Sequence, residues 1–471
     1  MSQVNACSTR MLRWLIVIVA LTYVWITPPF QAPDETLHFF KAYAVSVGGV
    51  ISVSDEGSLG YHLPVAIANL AEIQFPPNPY TTQAMRYDPR AILAAWAEGS
   101  DLKATKFVPF PNMAPYSPTM YLPQAAGIWI GRQIGLSPIG MFYAGRLTNT
   151  VTAILLTLAA VRLLPLGATA LLAVACLPAT LAQFGSLSAD ANIISLTFLV
   201  IALATRGSID LAAMRRGEGG RLLVSIVLLV LAKGVYWPVA CAGLVTRDFR
   251  FSARQWWILV SICVGVAAFI VWLMFGRGAD IQFSIISRRT LERTMTAQPA
   301  DQLAQILAAP STFIAILISS FSERLPVYVI QVIGRFGWNT ILLPLPLYGL
   351  GLLLLGTALI APSESAPRPT RWQRLWWLLL AIGMVVMIET ALYLTGTPLG
   401  ADYIQGTQGR YFLPFLPLVL LALSCPLQDN SAVGAIARFA FPSMALILNI
   451  SAMAVVIDAF WISGVVRGTG F

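Results

Sequence analysis

Histidine is almost missing from this chain: His38 and His62 are the only two in 471 residues, which excludes a histidine-rich metal centre. Charge is scarce as well. Charged residues make up 11% of the sequence, whereas a soluble domain carries roughly a quarter. The five cysteines (Cys7, Cys176, Cys241, Cys263, Cys425) are scattered, which indicates neither a disulfide framework nor a paired-cysteine metal site. No Walker A loop, HExxH or GxSxG motif occurs. The net charge of +9 comes mainly from arginine in short loops. That pattern reads as a topogenic signal rather than a nucleic-acid surface, and no nucleic-acid partner is expected.

What the chain does have is apolar length. The residues are 57% hydrophobic, with a mean hydropathy of +0.73. Segments of about 17 to 25 apolar residues, the length a bilayer-spanning helix needs, recur along it. The dyad alternation of an outer-membrane barrel is absent, so an all-α polytopic membrane protein is expected. The predicted spans are 14–28, 141–163, 166–183, 189–206, 222–236, 237–247, 255–275, 341–361, 375–395, 411–425 and 436–462, a bundle of about eleven within a single unit, 1–471. The first follows Arg10 and Arg13 and has no small-residue cleavage site, so it reads as a retained helix with a cytoplasmic N-terminus. The pair around Lys233 and Gly234 is too short for two crossings and reads as a broken hairpin lining a polar cavity.

Between the spans lie two long segments, expected outside the cytoplasm. Residues 29–120 are rich in proline and aromatics and should carry short helices; residues 276–340 contain Arg288, Arg289, Arg293 and an amphipathic run near 301–320. Residues 120–136 read as an interfacial helix, with a short span as the alternative. The threading puts Arg162, Arg206, Arg215, Arg216, Arg221, Arg247, Arg250, Arg254, Arg368, Arg371 and Arg374 in short cytoplasmic loops that hold no lysine, as the positive-inside rule requires.

It also brings four polar junctions to the opposite side: Pro33-Asp34-Glu35; the stretch from Gln183 through Ser188 and Asp190 to Asn192; Arg335 to Asn339; and Gln408-Gly409-Arg410-Tyr411. Pro33 suits a first helical position, which places Asp34 and Glu35 in the first turn, where the macrodipole favours carboxylates. Asp34, His38 and Lys41 then share one helix face. Each junction has a plainer reading. Ser188 and Asp190 can cap the next helix; Arg335 and Arg410 can snorkel beside Trp338 and Tyr411; Tyr116 and Tyr121 can belong to an aromatic belt. Lys233 and Glu389 are harder to dismiss, since ionisable groups within apolar runs cost about 2.5 kcal/mol or more on insertion scales. Lys233 suits a phosphate; the role of Glu389 stays open.

The stretches PPFQAPDETLHFFKAYAVSVGG, PYSPTMYLPQAAGIWIGRQIGLSPIGMFYAGRLTN, LPATLAQFGSLSADA, GRFGWN and QGRYFLPFLPL occur in that order. In these the chain resembles a domain-of-unknown-function family of bacterial polytopic membrane proteins grouped with the GT-C glycosyltransferases. The resemblance implies a GT-C-like bundle in the bacterial inner membrane. It implies a polyprenyl-phosphate sugar donor, a glycan or lipid acceptor outside the cytoplasm, and an acidic residue of the first loop as base or metal ligand. By position that acid is Asp34, with Glu35 beside it and His38 orienting the acceptor or the acidic pair; Lys41, Ser188, Asp190, Lys233, Arg335, Gln408, Arg410 and Tyr411 are the candidates for substrate contacts. Asp34 and Glu35 could together hold Mg²⁺ or Mn²⁺, and metal dependence is left open. A flippase of lipid-linked sugars would use a similar cavity, although its paired inverted repeats are not evident. A noncatalytic subunit of a polysaccharide assembly complex is the third reading.

Overall fold

The computed structural model describes residues 2–55, 58–76, 86–99, 101–164, 168–209, 214, 217–249, 251–275, 299–360, 368–425 and 432–464. Arg215, Arg216, Arg250, Arg288, Arg289 and Arg293 lie outside the described residues. The protein is mostly helical. Among the described residues six helices have membrane-spanning length and hydropathy: Thr9–Ile26, Pro138–Leu163, Ala253–Phe275, Pro310–Gly334, Arg371–Gly396 and Phe439–Ile462.

Helix α1 (Ser2–Ile26) delivers the chain to the first loop. There α2 (Glu35–Ser46) is followed by strands β1 (Val53–Asp55) and β2 (Ser58–Pro64), helices α3 (Val65–Asn69) and α4 (Pro89–Ala97), and β3 (Thr105–Pro109). The three strands form an antiparallel sheet in the order β1-β2-β3, with Gly60 opposite Pro109. The bundle is helical as expected, and the first loop adds strands to its short helices; strands of three to seven residues are too short to display the alternation that would reveal them. A side chain at Gly60 would collide with the Val108 carbonyl, so glycine is what lets β3 close on β2.

Helix α5 (Leu122–Gln133) is about 18 Å long, well short of a hydrocarbon core of about 30 Å, and it packs on α2 and α6. Helix α6 (Pro138–Leu163) starts with Pro138 in its first turn and Ser137 as N-cap, accepting from the Gly140 amide. The expected span 166–183 is instead two short helices, α7 (Ala168–Ala175) and α8 (Pro178–Phe184). Pro178 cannot donate to the preceding turn, and the Thr180 hydroxyl takes up the freed Val174 carbonyl at 2.7 Å. Next come α9 (Asp190–Ile209) and α10 (Glu218–Ala232). The segment read as half of a broken hairpin is a 3₁₀ helix, Gly234–Gly243, packed against α9 and α10 and separated from α10 by an extended Lys233.

Helix α11 (Ala253–Phe275) begins at a buried ion pair of Arg254 with Glu218, so this arginine does more than mark topology. Then α12 (Pro299–Ala308) and α13 (Pro310–Gly334) occupy the second expected loop. The apolar 25-residue α13 is the largest departure from the threading, which foresaw only an amphipathic run there. Its end feeds a small hairpin, β4 (Arg335–Phe336) and β5 (Ile341–Leu342), turned by Gly337 and Asn339 at positive φ. Helices α14 (Leu345–Ile360), α15 (Arg371–Gly396), α16 (Leu416–Leu423) and α17 (Ala432–Ile457) complete the bundle. A Thr370–Gln373 capping box opens α15.

Candidate functional site

The four polar junctions meet. Trp338 donates to the Phe30 carbonyl at 3.1 Å, Arg410 to Asp34 at 2.7 Å, the Leu187 amide to Glu35 at 2.8 Å, and Asn339 to Gln408 at 3.3 Å.

Their common anchor is Arg146, near the start of α6 and fully buried. Its Nε and Nη2 hold the two Glu35 oxygens at 2.8 and 2.7 Å. Its remaining N–H groups bond the carbonyls of Val24 (2.8 Å), Thr27 (2.7 Å) and Pro28 (3.1 Å), so all five guanidinium donors are used. Both side chains have 0% exposure. This arrangement ties the end of α1, the start of α2, α6 and the α8–α9 turn to one point. Glu35 is therefore a structural pin. Its two oxygens accept three hydrogen bonds, two from Arg146 and one from the Leu187 amide, at 0% exposure; among the described residues no group of three histidine, cysteine or acidic side chains is placed to hold a metal ion.

Pinning Glu35 shifts the helix start. The expectation put Pro33 in the first turn, but α2 begins at Glu35, and Asp34 stands just before it in the left-handed region at φ 61°, without capping the helix. Asparagine and aspartate tolerate that conformation better than most residues. The Asp34 carboxylate turns to Arg410 instead and keeps 34% exposure. From there opposite charges alternate. Arg410 Nε lies 3.4 Å from Asp190, Asp190 lies 3.9 Å from Lys233 Nζ, and Lys233 Nζ sits 4.4 Å from the centre of the Tyr411 ring. Tyr236 donates to the Tyr411 carbonyl at 2.9 Å and so fixes the Gly409–Tyr411 turn.

His38 belongs to the same cluster. Its Nδ1 is 3.0 Å from the Tyr121 hydroxyl, and burial holds its pKa down to about 4 while the charge of Asp34 opposes the shift. It is a neutral imidazole at pH 7. Lys41, by contrast, points away, to the Val50 carbonyl and the Ser52 hydroxyl, and burial lowers its pKa to about 8. Ser188 accepts from the Asp190 amide, which is the capping role. Glu389 is buried and held by Tyr328 and Thr407, apart from the cluster. Arg335 donates to the Asn339 carbonyl at 2.6 Å and, with Gln408 and Arg410, lines a small polar cavity.

A second cavity lies beside Lys233 and Tyr411. It is an apolar groove of about 610 Å³ between α10, α11 and α15, lined by Val266, Phe269, Leu273, Met387 and Ile388 among others, and its polar end carries Lys233, Tyr116 and Tyr411. An apolar trough ending in an ammonium and a phenol suits a lipid tail with an anionic head.

A family model matches residues 16–419, nearly the whole bundle and every element of this site. The chain belongs to the family described as "Predicted membrane protein (DUF2142)". No curated protein and no solved structure matches. In this DUF2142 chain sequence reasoning missed two members of the site. Arg146 was legible, being a charge within an apolar helix. Tyr121, buried against His38 rather than set in an aromatic belt, left no comparable signal.

Proposed function

We propose that this protein is a membrane glycosyltransferase of GT-C type. It moves a sugar from a polyprenyl-phosphate donor to a hydroxyl of a glycan or lipid acceptor outside the cytoplasm, with inversion. The observation that carries the reading is the apolar groove whose polar end, at Lys233, connects through Asp190 and Arg410 to a partly exposed Asp34. In this reading about eleven segments cross the bacterial inner membrane with the N-terminus in the cytoplasm: α1, α6, the α7–α8 pair, α9, α10, the 3₁₀ segment, α11, α14, α15, α16 and α17, with α13 kept on the outer side.

The polyprenyl chain lies in the groove and its phosphate meets Lys233 and Arg410, where arginine offers bidentate contacts. As the phosphate engages Arg410, Asp34 is released from its ion pair and accepts the acceptor's hydroxyl proton. The acceptor oxygen bonds to the anomeric carbon while the carbon–oxygen bond to phosphate breaks, and the electron pair leaves with polyprenyl phosphate. The cations neutralise that developing charge. Neutral His38, steadied by Tyr121, offers the acceptor a hydrogen-bonding partner. No step requires Glu35 or a metal held between two carboxylates.

Purified protein incubated with a polyprenyl-phosphate sugar and a mixed glycan acceptor tests this. Release of polyprenyl phosphate is expected from the wild type and is abolished by Asp34→Asn, with membrane insertion unchanged. A flippase would release none, and a variant lacking the Asp34 carboxylate that still transfers would sink the assignment.

A further inference from the structure

Glu389 takes no part in the chain of charges at Asp34, yet it is the one acidic residue of α15 and is fully buried. A carboxylate inside an apolar span is costly to insert, so its contacts need a reason. Both of its oxygens accept from hydroxyls: Tyr328 of α13 donates to Oε1 at 3.3 Å, and Thr407 donates to Oε2 at 2.8 Å. Hydrogen bonds to an ionised carboxylate are stronger than those between neutral groups. What Glu389 holds, it holds firmly.

It holds the approach to Arg410. Thr407 stands three residues before that arginine, in a stretch, 397–408, that contains no helix or strand. Such a segment has no hydrogen-bond ladder of its own and takes its place from the side chains it meets. The neighbours of Thr407 lean on α13 as well. The Gly409 amide donates to Gln331 Oε1, and a side chain at Gly409 would collide with the Tyr328 carbonyl. The Phe412 ring packs edge-on against Tyr328 at 5.1 Å, and the Ile404 amide donates to Ser320 at 3.0 Å. Tyr328 therefore meets the chain on both sides of Arg410, while its hydroxyl bonds the carboxylate that holds Thr407. The Arg410 side chain is left to Asp34 and Asp190.

We infer that Glu389 is a positioning residue for Arg410: through Thr407 and Tyr328 it seats the Gly409–Tyr411 turn where the guanidinium meets Asp34 and Asp190. It acts through these residues and not on the reacting atoms. The seating stands without the transfer reaction proposed above, and only its kinetic consequence rests on that reading. There, a loosened turn offers the departing phosphate a mobile arginine. That costs turnover more than donor affinity, because Lys233 and the groove still hold the lipid.

The test uses the full chain in detergent, labelled with phenylglyoxal and read at Arg410 by peptide mass spectrometry. Arg410 is 8% exposed, so its labelling reports how often the turn opens. Thr407→Val keeps the shape and removes the hydroxyl; with a hydrogen bond to a carboxylate lost, labelling about tenfold faster than wild type is expected. Glu389→Leu should do the same, and Thr407→Ser, which restores the hydroxyl, should stay within about twofold of wild type. Arg146, at 0% exposure, should stay unlabelled in every variant. Unchanged Arg410 labelling in Thr407→Val, equal labelling in Thr407→Val and Thr407→Ser, or labelling that spreads to Arg146 overturns the inference. The two Thr407 variants decide the matter even where Glu389→Leu fails to fold. Sugar transfer is measured on the same preparations: Thr407→Val is expected to lower kcat about tenfold with donor KM within about threefold, and Thr407→Ser to restore it. A wild type without transfer, in which Thr407→Val still unprotects Arg410, would count against the transferase alone and leave the positioning role standing.

Discussion

Replacing Arg146 by methionine keeps most of the side chain's length and removes the one cation that Glu35 meets. The carboxylate is left with only the Leu187 amide, at 0% exposure, and the carbonyls of Val24, Thr27 and Pro28 lose the donor they share. Breaking a buried pair by removing one partner costs about 3–5 kcal/mol, and each orphaned carbonyl adds about 1 kcal/mol or more. A loss of about 6 kcal/mol is expected. Glu35→Gln removes the charge but keeps an acceptor for Arg146, so its loss is smaller, about 3 kcal/mol. In the double variant Glu35→Gln/Arg146→Met no charge is stranded, and the total should fall about 3 kcal/mol short of the sum of the single losses. The measurement is an SDS titration in mixed micelles, followed by tryptophan fluorescence, on all four proteins. A coupling under about 1 kcal/mol, the value of an exposed ion pair, would refute the reasoning, since Glu35 and Arg146 would then be strangers joined only by proximity.

Three further outcomes are expected. Lys41 has a folded pKa near 8, below its unfolded value of 10.5, so the folded state disfavours its proton; stability should rise with pH between about 8 and 10.5, by about 3 kcal/mol in all. Lys41→Met should flatten that rise and stabilise the protein at pH 7, as denaturation across that pH range would show. His38 is likewise depressed, to about 4, so stability should increase as pH rises from 4 towards 6.5, and His38→Gln should remove that slope. Tyr121→Phe deletes the hydroxyl at His38 Nδ1 and should cost about 1 kcal/mol in stability, while loosening the imidazole enough to lower transfer rate more than donor affinity.

Much of the site was legible because its charges stand out against apolar sequence. Asp34, Asp190, Lys233 and Arg410 do form one chain of ion contacts, as the threading of junctions to one side implied. The roles of Glu35 and Lys41 were not legible, since helical spacing tells which residues share a face and not which of them a distant arginine will claim. Arg146 lies 111 residues from Glu35, and no local pattern joins them. In the fold, continuous apolar runs such as Arg371–Gly396 were easy to find, whereas the proline at 178 hid a break inside one run and the strands of the first loop were too short to declare themselves.

Asp34 and its arginine are 376 residues apart. A ribosome therefore makes the acid early and its partner near the end, and for most of synthesis the first loop carries an unanswered charge. The Asp34–Arg410 pair cannot form before residue 410 has been made, however well the early helices have settled. Truncation anywhere before Arg410 should leave a membrane-embedded product in which Asp34 has lost its arginine. Synthesis of Arg410 is thus itself the event that lets the site assemble.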